Sequence, residues 1–149
     1  MTAHLTAHLT AHLNGARSDE HSRKRRVLVV DDAATVRAYS RQVLESDGFA
    51  VDEAVNGIDG LEHALANPPD LLIVDINMQK MDGYAMLRLL RQEPVLHDVP
   101  AVMISTESKD SDRENALLAG ANWYFVKPVR PDDLTAAARL LTGRGEDRP

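Results

Sequence analysis

The sequence contains no cysteine, which excludes disulfides, thiolate metal sites and cysteine catalysis. It has no apolar run near the roughly 18 residues that a membrane-spanning helix needs, and its N-terminus lacks the charged-then-apolar pattern of a secretory signal. An excess of positive charge is absent too, because the net charge is −6. That balance argues against non-specific binding to nucleic acid or anionic lipid. We therefore predict a cytoplasmic protein that neither inserts into a membrane nor binds nucleic acid.

The residues that are present are enough for one compact domain with a real core. The chain has 149 residues, of which 44% are hydrophobic and 27% are charged. The first 25 residues differ in composition from the rest. Residues 2–13 repeat the tetrad TAHL three times, and the run RSDEHSRKRR follows at 17–26.

The TAHL repeat offers a weak metal-binding pattern. On a helix, His4, His8 and His12 would share one face, and histidines at this spacing can act as ligands. A solitary helix this short is marginal in water, and no carboxylate or cysteine completes the site. We predict a low-complexity, disordered or loosely helical extension at 1–25, a folded domain at 26–143 and a short tail at 144–149.

Short apolar runs appear at regular intervals from residue 27 onward. Four continuous runs are typical of strands buried on both faces of a parallel sheet: VLVV (27–30), LLIV (71–74), AVMI (101–104) and YFV (124–126). The segment FAVDEAV (49–55) alternates apolar and polar residues, which suits a strand nearer an edge.

Helical patterns fill the intervals between these runs. Apolar residues recur at helical spacing, each pattern ended by glycine or proline, at 36–44, 58–65, 86–90, 116–119 and 134–141. Five strands alternating with five helices predict an α/β fold. We expect a single doubly wound parallel sheet with right-handed crossovers and helices on both faces.

Polar residues follow four of the five predicted strands. They are Asp31 and Asp32, then Asp75, then Ser105 with Thr106, and finally Lys127. Open parallel sheets bind ligands beyond the carboxyl ends of their strands, so these groups are expected to converge. Three carboxylates without sulfur or histidine suit a hard cation such as Mg²⁺.

A site of this composition can receive a phosphoryl group. An aspartate can act as a nucleophile and form an acyl phosphate. The cation and Lys127 would neutralise the charge on the phosphoryl oxygens, and a hydroxyl could donate a hydrogen bond to one of them. Asp75 stands alone at the end of its run and is the predicted nucleophile.

Four segments, in this order and spacing, resemble the receiver domain of bacterial response regulators: VVDDAATVR, LLIVDINMQKMDGYAML, AVMISTES and ANWYFVKP. The closest resemblance is to the stand-alone chemotaxis (CheY) type, and it covers about residues 26–143. It implies a flavodoxin-like sheet with the strand order 2-1-3-4-5.

The resemblance also implies roles for single residues. Asp75 would be the phosphoacceptor, and Asp32 and Asp75 would bind Mg²⁺ (for which Mn²⁺ can substitute) together with the backbone carbonyl of Asn77. Asp31 would act mostly through water. Lys127 would pair with the phosphoryl group, and its bond to Pro128 would be cis.

Further positions would carry the response. The hydroxyl of Ser105 would move toward the phosphoryl group while Tyr124 rotates inward, which alters the partner-binding face of the fourth helix, fifth strand and fifth helix. Asn77 and Glu107 would tune rapid self-dephosphorylation, as in the chemotaxis branch. Gln79 departs from the family, which commonly has proline there.

Three other residues have structural interpretations. Trp123 is predicted to serve packing rather than function. Asp82 is predicted to cap a helix, and Gly83 to meet a backbone requirement.

The implied function is a single-domain switch with no classical substrate turnover. The donor would be a sensor histidine kinase or a histidine phosphotransfer protein, and the switch is expected to be monomeric. Its output would be another protein, because few residues follow the fifth helix. Chemotaxis through the flagellar motor switch is the leading alternative, with a phosphorelay or a phosphate sink for a kinase left open.

Two other hypotheses about the function are disfavoured. A haloacid-dehalogenase-type phosphohydrolase would carry D-x-D at its first strand and a cap domain, whereas this chain has D-D there. A degenerate receiver that serves only as a scaffold is opposed by the complete set of site residues.

Overall fold

The computed structural model describes residues 23–143. The prediction of an extension therefore lies outside the described residues, apart from residues 23–25, and so does the predicted tail. The strands of the described part are β1 (Arg26–Val30), β2 (Ala50–Ala54), β3 (Leu71–Asp75), β4 (Ala101–Ser105) and β5 (Trp123–Val126). Its helices are α1 (Ala34–Ser46), α2 (Gly57–Ala66), α3 (Gly83–Arg91), α4 (Asp110–Ala119) and α5 (Pro131–Thr142).

The five strands form one parallel sheet in the order β2-β1-β3-β4-β5. This confirms the predicted α/β fold and its strand order, with β2 at an edge as the alternating segment indicated. The register places Val30 beside Val74, and Asp75 beside Ile104. The carboxyl ends of β1, β3 and β4 are therefore level with one another.

Two apolar layers hold the sheet between its helices. Alternate residues of a strand point to opposite faces. Leu28, Val30, Leu72 and Val74 thus belong to the core shared with α2, α3 and α4. Val27, Val29, Leu71 and Ile73 belong to the core shared with α1 and α5. Both faces of the central strands are covered, which explains why β1 and β3 read as unbroken apolar runs.

The prediction that β5 is buried on both faces was wrong. Only Tyr124 of this strand is buried, because β5 is an edge strand with a neighbour on one side. Trp123 is 55% exposed, so it lies outside the buried core. Its ring lies edge-on to Phe125, with 6.4 Å between the ring centroids.

Local contacts fix the start of α3. The side chain of Asp82 accepts a hydrogen bond from the Ala85 backbone N–H at 2.8 Å, which confirms the predicted helix cap. Pro131 occupies the first turn of α5, where its fixed φ and missing N–H are tolerated. The cap on α3 matters for the site, because α3 begins eight residues after Asp75.

Candidate phosphoryl-acceptor site

The carboxyl edge of the sheet brings the predicted acidic residues together. Asp31 and Asp32 follow β1 directly, and Asp75 is the last residue of β3. One carboxylate oxygen from each of the three lies within 4.8 Å of the others. Asp31 and Asp75 are both 4% exposed, whereas Asp32 is exposed at the mouth of the site.

Lys127 reaches this cluster from the end of β5. Its Nζ lies 3.2 Å from Asp75 Oδ1 and 3.3 Å from Asp31 Oδ2. The Lys127–Pro128 peptide bond is cis, as predicted. Within residues 23–143, Asp32 is the acid of the cluster that forms no ion pair. The site therefore holds three carboxylates against one ammonium.

This imbalance shows in the pKa values. Burial and the neighbouring charge of Asp31 raise the pKa of Asp75, although Lys127 and the backbone of Asn77 act in the opposite direction. Burial lowers the pKa of Lys127, but the charges of Asp31 and Asp75 outweigh it and raise that pKa overall. Lys127 therefore stays cationic, and ionisation of Asp75 is opposed by its burial and by the charge of Asp31.

The donor set fits a divalent cation. All three side chains offer carboxylate oxygens, the ligands that Mg²⁺ prefers. A cation here would relieve the repulsion that Lys127 alone leaves. No ligand geometry follows from this fit, so the direct role of Asp32, the water-mediated role of Asp31 and the Asn77 carbonyl contact stay predictions.

Ser105 lies beside the acids at the end of β4 and is 1% exposed. Its Oγ accepts hydrogen bonds from the Glu107 backbone N–H at 3.1 Å and from Asn77 Nδ2 at 3.4 Å. Ser105, the predicted hydroxyl switch, therefore contacts both residues that are predicted to tune self-dephosphorylation. The carboxylate of Glu107 itself is on an exposed residue at the rim.

Tyr124 lies in the inward position and is 6% exposed. Its hydroxyl donates to the backbone oxygen of Glu107 at 2.5 Å. The guanidinium carbon of Arg113, on α4, lies 5.5 Å from the ring centroid. This cation–π contact could not be predicted from the sequence, because no short-range pattern links Arg113 to Tyr124.

The loop from β3 to α3 approaches the site closely. A Cβ on Gly83 would lie 2.5 Å from the backbone oxygen of Asp75, which confirms the predicted backbone requirement. Lys80 and Met81 have positive φ values of 53° and 80°. Both conformations are costly for residues with a side chain, and no sequence pattern predicted them.

The described residues contain no helix long and apolar enough to cross a bilayer. The cytoplasmic location stays a prediction.

Comparisons with known proteins point to one family. The family model described as "Response regulator receiver domain" matches residues 27–139. The transcriptional regulatory protein PrrA of Mycobacterium tuberculosis is 40% identical over 119 residues, which cover 80% of this chain and 50% of PrrA. The alkaline phosphatase synthesis transcriptional regulatory protein SphR of Synechococcus elongatus is 33% identical, over 83% of this chain and 51% of SphR. The chain thus spans about half the length of these curated relatives.

Solved structures agree with this assignment. The chemotaxis response regulator CheY4 of Vibrio cholerae has a TM-score of 0.76 and 27% identity, covering 79% of this chain and 98% of CheY4. A CheY-like receiver domain protein of Methanospirillum hungatei has a TM-score of 0.74 and 27% identity, covering 83% of this chain and 97% of that one. The chain, with its acidic cluster and lysine at the carboxyl edge of a 2-1-3-4-5 sheet, belongs to the response regulator receiver domain family.

Proposed function

We propose that this receiver accepts a phosphoryl group on Asp75 and uses it to switch the face formed by α4, β5 and α5. One observation carries the proposal: Asp75 is buried at the end of a central strand, 3.2 Å from Lys127 and beside two further carboxylates. A buried acid held against like charge is a poor structural element and a suitable phosphoacceptor.

The chemistry follows from the groups at the site. A carboxylate oxygen of Asp75 attacks the phosphorus of a phosphohistidine on the donor protein. The new P–O bond forms as the P–N bond breaks, and the imidazole leaves with a proton. Lys127 neutralises charge on the phosphoryl oxygens. Mg²⁺ bound by Asp31, Asp32 and Asp75 would supply further electrostatic stabilisation of that charge.

The switch uses Ser105 and Tyr124. The Ser105 hydroxyl would turn from its Asn77 and Glu107 contacts to donate to a phosphoryl oxygen. Tyr124 is already buried and donates to the Glu107 backbone oxygen, so a shift of the segment after β4, rather than the predicted inward rotation, would move Tyr124 together with Ser105. Asn77 and the backbone of Glu107 both contact Ser105 at the carboxyl edge, which supports their role in self-dephosphorylation.

The donor is a sensor histidine kinase or a histidine phosphotransfer protein. The predicted chemotaxis role rests on Asn77 and Glu107 and on the structural likeness to CheY4, while PrrA and SphR are named as transcriptional regulators. The curated relatives therefore favour a transcriptional output as a second candidate, and they give no support to a flagellar motor partner. A phosphorelay or phosphate sink stays a further alternative.

Intact mass after incubation with acetyl phosphate and Mg²⁺ tests the proposal. We expect one added phosphoryl group on the wild type, none without Mg²⁺ and none on Asp75→Asn. Equal labelling of Asp75→Asn would overturn the assignment of Asp75, and no labelling of the wild type would favour the scaffold reading. Sustained turnover of a generic phosphomonoester would instead support the phosphohydrolase reading, which the proposal excludes.

A further inference from the structure

Tyr84, in the first turn of α3, reaches across to α4. Its hydroxyl donates to the backbone oxygen of Asp112 at 3.3 Å. The side chain is partly buried and packs against the core that contains Tyr124. Burial, and then the nearby Tyr124, raise the pKa of the Tyr84 phenol, so it remains a hydrogen-bond donor at neutral pH.

The backbone before Tyr84 is fixed against the phosphoacceptor. Gly83 donates its N–H to the oxygen of Ile76 at 3.0 Å, and Ile76 directly follows Asp75. The absent Cβ of Gly83 lets its backbone contact the oxygen of Asp75. A displacement of the Asp75 backbone therefore acts on Gly83, and through it on the next residue, Tyr84.

The first turn of α4 is contacted by two tyrosines from different elements. Tyr84 approaches it from α3 at Asp112, and Tyr124 approaches it from β5 beneath Arg113. Tyr124 is part of the proposed switch, whereas Tyr84 belongs to none of the roles derived above. Both contacts end on adjacent residues of the same turn.

We propose that Tyr84 is a positioning residue that couples the phosphorylation of Asp75 to the placement of α4, alongside Tyr124. The inference rests on the proposed function. Phosphorylation shifts the loop from β3 to α3, and the Tyr84–Asp112 hydrogen bond then favours one arrangement of α4 over the other. A contact can couple two sites only if its free energy differs between the two arrangements, and this bond meets that condition when α3 and α4 move apart.

Tyr84→Phe removes the hydroxyl and keeps the ring. Tyr39→Phe is the matched control, because the Tyr39 hydroxyl also donates to a backbone oxygen, that of Val129 at 2.9 Å, away from α4. Each protein is treated with acetyl phosphate and Mg²⁺, and intact mass gives its phosphoryl occupancy. Two signals report the response of the face formed by α4, β5 and α5. They are hydrogen exchange in residues 110–119 and the fluorescence of Trp123, the single tryptophan.

We expect Tyr84→Phe to be phosphorylated like the wild type but to shift its α4 equilibrium about two- to tenfold less, the range of one hydrogen bond. Tyr39→Phe should respond like the wild type. An unchanged response in Tyr84→Phe at equal occupancy would overturn the inference, as would an equal loss in Tyr39→Phe. Absence of phosphate on the wild type would instead overturn the proposed function.

Thermal melting of the unphosphorylated variants shows whether a reduced α4 response comes from lost coupling or from lost stability. If Tyr84→Phe melts well below the wild type, Tyr84→Leu and Tyr84→Met are measured at a temperature where each is fully folded. A normal α4 response in either folded variant would overturn the inference, and a reduced response in both would support it.

Discussion

Polar groups lie at both ends of the sheet, but those at the amino end have hydrogen-bond partners and those at the carboxyl end carry unbalanced charge. At the amino edge, Arg26 exchanges backbone and side-chain hydrogen bonds with Asp70 and donates to Asn67 at 2.8 and 2.9 Å. At the carboxyl edge, Asp31 and Asp75 share the ammonium of Lys127, and Asp32 forms no ion pair within residues 23–143. The amino edge is satisfied within the chain, whereas the carboxyl edge keeps an excess of negative charge that the proposed cation would offset.

The difference shows where stability and function are separated. Polar groups with partners stabilise a fold, whereas buried like charges lower its stability unless something binds them. The carboxyl edge also contains the two positive-φ residues, Lys80 and Met81. Strain and repulsion are concentrated at the end of the sheet where the chemistry is proposed.

The largest expected effect comes from adding the cation. Mg²⁺ at about one hundred times its dissociation constant is expected to raise the free energy of unfolding by about 2.7 kcal/mol. Asp32→Asn should lose most of this gain at the same concentration, because Asp32 is a carboxylate of the cluster without an ion pair. Denaturant unfolding with and without Mg²⁺ measures it. An undiminished gain in Asp32→Asn would contradict the ligand set.

Removing a hydrogen-bond acceptor from the amino edge should change the free energy of unfolding somewhat less than Mg²⁺ does. Asp70→Ala leaves the backbone N–H of Arg26 without its acceptor and is expected to lower the free energy of unfolding by about 2 kcal/mol. Asp98→Ala is the control, because the Asp98 side chain is 97% exposed and pairs with the neighbouring His97. It should change stability by less than about 0.5 kcal/mol. Chemical denaturation measures the free energy of unfolding of both variants. Equal losses in Asp70→Ala and Asp98→Ala would show that the amino edge is not stabilised by its hydrogen bonds.

Removing a charge from the unsatisfied edge should stabilise the metal-free protein. Asp75→Asn is expected to raise the free energy of unfolding at neutral pH by about 1 kcal/mol, within the range of single stabilising substitutions. The pKa of Asp75 is raised on folding, so its ionised form opposes folding above that pKa. The advantage of Asp75→Asn should shrink as the pH falls through the raised pKa and vanish below the unfolded value. A destabilised Asp75→Asn would show that the Lys127 contact outweighs the repulsion.

The smallest effect concerns the strained loop. Lys80→Gly is expected to stabilise the protein by about 0.5 kcal/mol, because relief of the left-handed conformation exceeds the entropy that glycine loses. Lys80→Ala removes the same charge but keeps a Cβ at the positive-φ position, so it should not stabilise. Melting temperatures of Lys80→Gly and Lys80→Ala test this difference. A stabilising Lys80→Ala would show that loss of charge, rather than backbone strain, is responsible.

The sequence predicts those features that depend on neighbouring residues. The apolar runs predict each end of each strand to within one residue. The polar residues at the carboxyl ends of the strands predict the convergence of Asp31, Asp75 and Lys127. The Tyr84–Asp112 and Arg113–Tyr124 contacts could not be predicted, because they depend on how α3, α4 and β5 pack. The same limit applies to Trp123, since hydrophobicity alone does not identify an edge strand.

Helical periodicity was also a coarse guide to burial. Ile58 and Leu65 fall on the predicted apolar stripe of α2, yet they are 46% and 41% exposed. The buried positions of α2 are Gly57, Gly60 and Ala64. Small residues let this helix approach the sheet closely, and the larger side chains on either side then remain partly in solvent.

The strand order has a consequence for how sequence can change across the sheet. β1 and β3 carry the acids and are hydrogen-bonded on both sides, whereas β5, which carries Tyr124, has one neighbour. Local opening should therefore be rarest at the phosphoacceptor and more frequent toward β5. Substitutions should be tolerated in the same gradient. The inner strands keep the acidic cluster constant, while the outer strand, apart from Lys127 at its end, and its flanking helices are free to diverge toward different partners.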